Sequence, residues 1–323
     1  MPPSLKSAVK PASWRFAVGL VVDRWDWHAR GLAKALAARG AEAFPIDLAA
    51  CGFDTQSASG LSMPGRARPP DAVMVRTMSG GTFEAVTMRL GVLHALREIG
   101  VMVWNDARAI ERCVDKSMTS FLLARAGIAT PPTWTTESHD IARAIVQREA
   151  MHGPLVLKPL FGSQGRGLRL IRHESDLPEP TAVAGVYYLQ RFVGVDQEGF
   201  RDFRLLVSQG RVIAAMVRHA PTWITNVKRG GKPIAAVVDA ELKDLAIAAT
   251  AAVGAAFAGV DIIHGVDGRP SVLEVNSMPA WAGVQKVTKQ NIAAALAADL
   301  IAALDRNAPR SALVRNVPQR ALL

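Results

Sequence analysis

Residues 155–171 read Leu155-Val156-Leu157-Lys158-Pro159-Leu160-Phe161-Gly162-Ser163-Gln164-Gly165-Arg166-Gly167-Leu168-Arg169-Leu170-Ile171. The apolar runs 155–157 and 168–171 have the length and composition of short strands. Gly162, Gly165 and Gly167 lie between them, so the connection is a turn whose residues tolerate positive φ. Such a turn can aim several backbone N–H groups at one anion, and Lys158 adds a charge at the end of the first strand. The ligand this arrangement suits is a nucleotide phosphate. It is not a Walker A loop, because no Gly-Lys-Ser/Thr and no helix follow, and the glycine order does not fit the dinucleotide fingerprint. Taken alone, an ordinary glycine-rich hairpin explains it equally well, and partners elsewhere in the chain must decide.

The 323 residues, half of them hydrophobic, allow two or three structural units with ample core. No apolar run reaches the ~18 residues of a membrane span. The first fifteen residues lack the apolar segment of a secretory signal. Cys51 and Cys113 are the only cysteines. That argues against a disulfide framework or a cysteine metal site and fits a reducing, cytoplasmic setting. The net charge of +10 is mostly terminal. Lys6, Lys10 and Arg15 give +3 with no acid among the first fifteen residues, and Arg306, Arg310, Arg315 and Arg320 give +4 after Asp305, which leaves +3 for residues 16–305. Basic tails are ordinarily solvated, so nucleic-acid binding is disfavoured as the main function.

Along the chain, strands are expected at 16–22, 43–46, 72–75 and 101–104, with helices at 27–39 and 83–99 and a loop over 51–70. This order predicts a small open parallel sheet covered by helices. Ligands of such sheets bind at the carboxyl ends of the strands, where Arg76 and Asn105 fall. A solvated side chain or a loop cap accounts for either residue at least as well. One long helix is expected over 107–126, a second over 141–149, and a strand over 186–193. Residues 202–218 alternate around Gln209-Gly210 as a hairpin, with Arg204 and Arg218 on its polar positions. Residues 227–231 read as an exposed loop, and helices are expected at 242–257 and 291–304. Strands 260–263 and 271–275 form a second hairpin through Val266-Asp267-Gly268-Arg269.

Asp261 and Glu274 lie on the two strands of that second hairpin, each flanked by apolar residues. Period two puts Asn276 on the face of Glu274. Three hard oxygen donors so placed suit Mg²⁺, which binds through one or two carboxylates plus nucleotide phosphates. The plainer reading is a solvated acidic hairpin.

Asp115-Lys116, Leu157-Lys158-Pro159 with its glycine loop, Gln190-Arg191-Phe192-Val193, Asp202-Phe203-Arg204, Asn226 before Gly230-Gly231, and Leu273-Glu274-Val275-Asn276 follow one another in this order. The set resembles the ATP-grasp ligases, and within them the RimK-type glutamate ligases, over about residues 70–305. The resemblance implies an α/β ATP-grasp fold, with an N-terminal open parallel sheet domain plus two α+β subdomains enclosing the nucleotide. The expected division is a basic tail (1–14), an N-terminal α/β domain (15–106), a central lid domain (107–193), a metal-binding domain (194–305) and a second basic tail (306–323). It implies that Lys116 and Lys158 hold ATP phosphates, with Gly162, Ser163, Gln164, Gly165 and Gly167 as the flap above them. It further implies that Gln190, Arg191, Phe192 and Val193 form the adenine-reading hinge and Asp202 contacts ribose. Asp261, Glu274 and Asn276 would bind Mg²⁺ or Mn²⁺. Arg218 and Asn226 would face the transferred phosphate and the acceptor. Arg191 stands where relatives commonly carry an acid, and Ile224-Thr225-Asn226 replaces a more polar tripeptide.

The implied reaction is ATP-dependent addition of L-glutamate to a carboxylate-bearing acceptor through an acyl phosphate. The phrase Asn276-Ser277-Met278-Pro279-Ala280-Trp281-Ala282-Gly283 and residues 76–81 look like the branch that modifies glutamylated or pterin-type cofactors such as tetrahydromethanopterin. Arg76, Lys228 and Arg229 would suit a polyanionic acceptor. The alternatives are a ligase acting on a protein C-terminal tail and a non-catalytic nucleotide-binding protein. The expected partners are a small acidic acceptor and L-glutamate, with a homo-oligomer left open.

Overall fold

The computed structural model describes residues 14–162, 165–194 and 199–314, with side chains as far as 307. The expected basic tails lie largely outside the described residues, as do Ser163 and Gln164. The chain divides into two compact units, Met1–Trp104 with Leu296–Leu323, and Asn105–Ala295.

The first unit contains β1 (Phe16–Val21), α1 (Trp27–Ala37), β2 (Ala41–Ile46), β3 (Gly52–Phe53), β4 (Leu61–Ser62), β5 (Ala72–Val75), α2 (Phe83–Glu98) and β6 (Met102–Trp104). Four strands pair in the order β2-β1-β5-β6, every pair parallel. Val18, Leu20 and Val73 are fully buried, as befits a parallel sheet. Both helices start on a side-chain cap: Ala29 N donates to Asp26 at 2.9 Å and Ala85 N to Thr82 at 3.3 Å. Within the expected loop 51–70, β3 and β4 pair as a two-residue hairpin, too short to register as an alternating pattern.

The second unit opens with α3 (Ala107–Val114) and α4 (Lys116–Arg125). The single helix expected over 107–126 is thus two. Asp115 is extended (φ −81°, ψ 103°) and breaks the run. Its carboxylate accepts from Ser117 N at 2.8 Å and Met118 N at 3.1 Å, so it caps α4 and sets Lys116 at the first helical position. Next come β7 (Thr133–Thr136), α5 (His139–Glu149), β8 (Leu155–Lys158), β9 (Arg169–Ile171) and β10 (Tyr187–Arg191). They form an antiparallel sheet of order β7-β10-β8-β9. Ala142 and Val146 of α5 pack with Leu155, Leu157, Tyr187 and Leu189 beneath it.

The larger sheet has the order β13-β12-β11-β14-β15, antiparallel throughout. Its strands are β11 (Phe200–Ser208), β12 (Arg211–Ala220), β13 (Lys232–Ala235), β14 (Phe257–His264) and β15 (Pro270–Asn276). Helix α6 (Ala240–Val253) precedes β14, and α7 (Ala282–Gln285) and α8 (Ile292–Val314) close the chain. Gln209 (φ 48°) and Gly210 (φ 71°) make the expected turn between β11 and β12. Leu242, Ala246, Ala249 and Val253 of α6 share one core with Leu205, Val207, Val260, Ile262, Val272 and Val275. Among the described residues no helix is long and apolar enough to cross a membrane. Both cysteines are buried and unbridged, and burial pushes the Cys113 thiol up to about 12.

The strand that carries Glu274 and Asn276 is irregular. Asp261 pairs with Glu274, but the next residue, Ile262, pairs with Val272. Leu273 is therefore an extra residue, a bulge in β15.

Asn105, expected at a ligand-facing strand end, is a buried clip. Its amide donates to Phe257 O at 2.5 Å and Ser277 O at 2.6 Å, and its oxygen accepts from Ala256 N at 2.8 Å and Phe257 N at 2.9 Å. Asn105→Ala strands these buried groups and should cost on the order of 3 kcal/mol. Urea unfolding checks this, and an unchanged midpoint would contradict it.

Candidate active site

One cleft in the second unit is lined by Lys116, Lys158, Gly162, Gly165, Gln190, Arg191, Phe192, Val193, Asp202, Arg218, Asn226, Asp261, Glu274 and Asn276. Residues far apart along the chain converge there because α4, β8, β10, β11, β12, β14 and β15 all present an end or a face to it. Gly167 does not itself line the cleft but packs on Pro159, which does: a Cβ there would lie 2.7 Å from that ring. Ser163 and Gln164 lie outside the described residues.

Lys116 donates to Leu160 O at 3.1 Å and Gly162 O at 3.0 Å, which ties the start of α4 to the glycine loop. Lys158 donates to Gln190 Oε1 at 2.5 Å. The Gln190 amide donates in turn to Thr133 Oγ1 at 3.2 Å and Tyr188 Oη at 3.3 Å, and Tyr188 shares a 2.7 Å hydrogen bond with Ser120. Gln190, expected to contribute through the hinge backbone, thus also aims the lysine. Burial lowers the pKa of both lysines against the pull of Glu274, and that of Lys158 falls to about 8. Lys158 is half-buried. Two ammonium groups and one carboxylate in so confined a space favour a polyanion between them.

The carboxylates of the larger sheet are not bare. Asp261, on β14, faces Arg204 across the β11 register. Arg204 grips it with two parallel bonds of 2.6 Å each. Arg218 donates to Asp202 from Nε at 2.8 Å and from Nη2, and the same Nη2 lies 3.0 Å from Asp261. Burial opposes the charge on Asp261, but Arg204 and Arg218 outweigh it and lower its pKa. Burial likewise opposes the charge on Arg218, yet Asp261 and Asp202 raise its pKa. Asp202, expected at the ribose, gives both its oxygens to Arg218.

Among the described residues no group of three or more His, Cys, Asp or Glu side chains is arranged to hold a metal ion. The expected set is two carboxylates and an amide. Asn276 Nδ2 is buried with no hydrogen-bond partner among the described residues. An orphaned amide beside Glu274 is what an absent ligand would leave, since the group can present its oxygen to a cation. Asp261 Oδ2 accepts from both arginines, but Oδ1 takes only one bond and keeps a further lone pair. The donor set therefore fits Mg²⁺.

The expected hinge segment is tied to its neighbours. Arg191 pairs with Glu149 and lies 5.9 Å from the Trp134 ring centroid, which accounts for a basic residue here. Arg191 N and Phe192 N donate to Pro132 O and Pro154 O at 2.8 and 3.0 Å. Phe192 meets Trp223 edge-on at 5.9 Å, and Trp223, Ile263 and Leu273 give the cleft an apolar wall. Sequence reasoning gave no site role to Trp223, Ile224, Met278 or the bulged Leu273. Leu273 in particular is invisible to a strict alternation, which sends it to the opposite face from Glu274.

The glycine loop touches the segment after Trp223. Gly165 has φ +67°, and a Cβ there would sit 2.6 Å from Asn226 Oδ1 and 2.9 Å from Ile224. Arg229 donates to Gly165 O at 3.4 Å. Only glycine allows that approach.

Residues 113–300 match the RimK-like ATP-grasp domain. The tetrahydromethanopterin:alpha-L-glutamate ligase of Methanosarcina acetivorans is 30% identical over 303 residues, 82% of this chain and 92% of that protein. The ligase of the same name from Methanocaldococcus jannaschii is 35% identical over 233 residues, 69% of this chain and 76% of its own. Among solved structures, the ATP-grasp ligase PsnB complexed with minimal precursor, Mg and ADP superimposes with a TM-score of 0.69 over 90% of this chain and 98% of that one, at 23% identity. The RimK domain protein ATP-grasp from Sphaerobacter thermophilus gives 0.65 over 87% and 98%, at 22% identity. These two likenesses are of fold.

The lysine environment sets a pH dependence. Lys158 is charged below about 8 and neutral above it, so affinity for an anionic nucleotide should fall as pH rises. Binding of a non-hydrolysable ATP analogue is expected to weaken about tenfold from pH 7 to pH 9. Lys158→Arg, charged throughout, should flatten much of that slope. Calorimetric titration at three pH values measures both, and a wild-type affinity independent of pH would contradict the assignment.

Proposed function

The chain belongs to the RimK-like ATP-grasp family of ATP-dependent ligases, and on that premise we propose that it joins L-glutamate to a carboxylate-bearing, pterin-type or already glutamylated acceptor. The convergence of Lys116, Lys158 and Glu274 on one cleft carries this reading. Relatives named for glutamate ligation to tetrahydromethanopterin support the substrate class. In this reading residues 15–106, 107–193 and 194–305 are the N-terminal, lid and metal-binding parts.

ATP would lie with its base against Phe192 and Trp223, beside the hinge Gln190–Val193, and its phosphates toward Lys116, Lys158, Gly162 and Gly165. Asp261, Glu274 and Asn276 would hold Mg²⁺, which when bound neutralises phosphate charge and keeps the terminal phosphorus open to attack. The acceptor carboxylate attacks the γ-phosphorus, ADP leaves, and an acyl phosphate forms. The glutamate amine then attacks the acyl carbon, the C–N bond forms, and inorganic phosphate departs with loss of a proton from nitrogen. Neither step needs a protein nucleophile. The chain's contribution is position and charge. Lys158, aimed by Gln190, supports the β- and γ-phosphate oxygens. Arg218, braced by Asp202 and Asp261, stays cationic and faces the transferred phosphate. Asn226, at the contact with Gly165, faces the acceptor.

A protein tail is the alternative acceptor. The fold-level neighbour PsnB was captured with a precursor, and the same assay decides. Phosphate release is measured with ATP, Mg²⁺, L-glutamate and a panel comprising tetrahydromethanopterin, oligoglutamates and a peptide ending in glutamate. Release should require both glutamate and one acceptor, and Lys158→Ala should slow it by about a hundredfold or more. Release as fast from the variant as from the wild type would count against this site. Release that ignores every acceptor would count against the ligase.

A further inference from the structure

The charges that line the cleft can be paired off. Arg191 is matched by Glu149, Arg204 by Asp261, and Arg218 by Asp202 and Asp261. Lys116 and Lys158 share Glu274 and are spoken for by phosphate in the ligase reading. Among the described lining residues one cation remains. Arg166 lines the cleft, is exposed, and forms no ion pair among the described residues.

Its placement is built rather than incidental. Arg166 sits between two left-handed glycines, Gly165 at φ +67° and Gly167 at φ +71°. Each is braced, Gly165 against Ile224 and Asn226, and Gly167 against Pro159, at distances a Cβ would violate. The backbone that carries Arg166 is therefore closely packed on both sides. A second exposed arginine, Arg229, reaches the carbonyl of Gly165, the residue before Arg166. Arg229 closes the short helical turn Val227–Arg229 that follows Asn226. Two guanidinium-bearing residues thus stand on touching segments at the rim of a cleft whose phosphate end is already supplied with lysines. Arginine's planar fork matches a carboxylate with two parallel bonds.

We propose that Arg166, with Arg229 beside it, holds a free carboxylate of a substrate at the rim of the cleft, and so selects a dicarboxylic amino acid or a polycarboxylate acceptor over its neutral isostere. This rests on the ligase reading for the two sources of that carboxylate, the incoming glutamate and the acceptor. Both present the same chemistry.

The test is binding to the full chain in the presence of Mg²⁺ and a non-hydrolysable ATP analogue. The probes are L-glutamate against L-glutamine, and the glutamyl-glutamate dipeptide against glutaminyl-glutamine. The wild type should prefer one carboxylate probe over its amide by about tenfold or more. Arg166→Ala should abolish that preference while leaving the amide probe and the nucleotide analogue bound as before. Arg166→Lys should restore part of it, and Arg229→Ala should reduce it. Whichever pair responds identifies the source, glutamate or acceptor. The inference is overturned if Arg166→Ala keeps the preference, if the wild type shows none, or if the variant loses nucleotide affinity instead, since Arg166 would then serve phosphate. A wild type that fails to bind the nucleotide analogue refutes the ligase reading alone. The carboxylate and amide probes, titrated without nucleotide, still judge Arg166.

Discussion

Four charged side chains on three neighbouring strands hold the floor of this cleft together: Asp202 and Arg204 on β11, Arg218 on β12 and Asp261 on β14. All four are buried or nearly so. Taking such groups out of water is costly, and the attraction between them repays that cost only when geometry is good and every charge is matched. The network is therefore weak as a source of stability and strong as a constraint on position. Each arginine has its carboxylate directly opposite in the strand register, so the sheet itself sets the distances. With two acids and two arginines the group is neutral overall, and Glu274 is left to face the lysines.

The lysines obey a different logic. Their burial works against their own charge, and nothing among the described residues matches both with a carboxylate apiece. Lys158 is steered by a neutral chain, Gln190 to Thr133 and Tyr188, and Tyr188 to Ser120. An amide oxygen can orient an ammonium group without cancelling it. The free protein thus keeps a positive potential that a polyanion would relieve, which is electrostatic preparation for a ligand at some expense to the fold.

Much of this was legible in the sequence because it is written in period two and in glycines. The parallel strands of the first unit, the turn at Gln209-Gly210 and the hairpin that carries Asp261 and Glu274 all come out of alternation and turn chemistry, whereas the direct pairing of those two acids needs the bulge at Leu273. The break at Asp115 was not, since residues 107–126 keep a helical composition through it. The signal lay in Asp115-Lys116-Ser117, a capping aspartate followed by a helix start, read as mid-helix. Strands β7 and β13 were missed because four residues at a sheet edge carry little periodicity. The side-chain commitments of Asp202, Arg191 and Gln190 could not be read at all. They depend on which polar groups lie opposite across the sheet, and linear spacing does not report that.

The bulge at Leu273 changes what variation this strand can bear. Because of one extra residue, an oily side chain and two ligand-type side chains at 274 and 276 open toward the same space, while Val272 and Val275 both reach the helix beneath. Ordinary alternation would separate them. A straightened ribbon carrying the same five residues would send Glu274 to the face of Val272, into the apolar layer beneath, and turn Val275 toward the cleft. Removing Leu273 alone would restore plain alternation, with Glu274 and Asn276 still on the cleft side and only an oily patch of its wall lost. The extra residue thus furnishes the wall, and the valines on either side of the carboxylate decide where that carboxylate points.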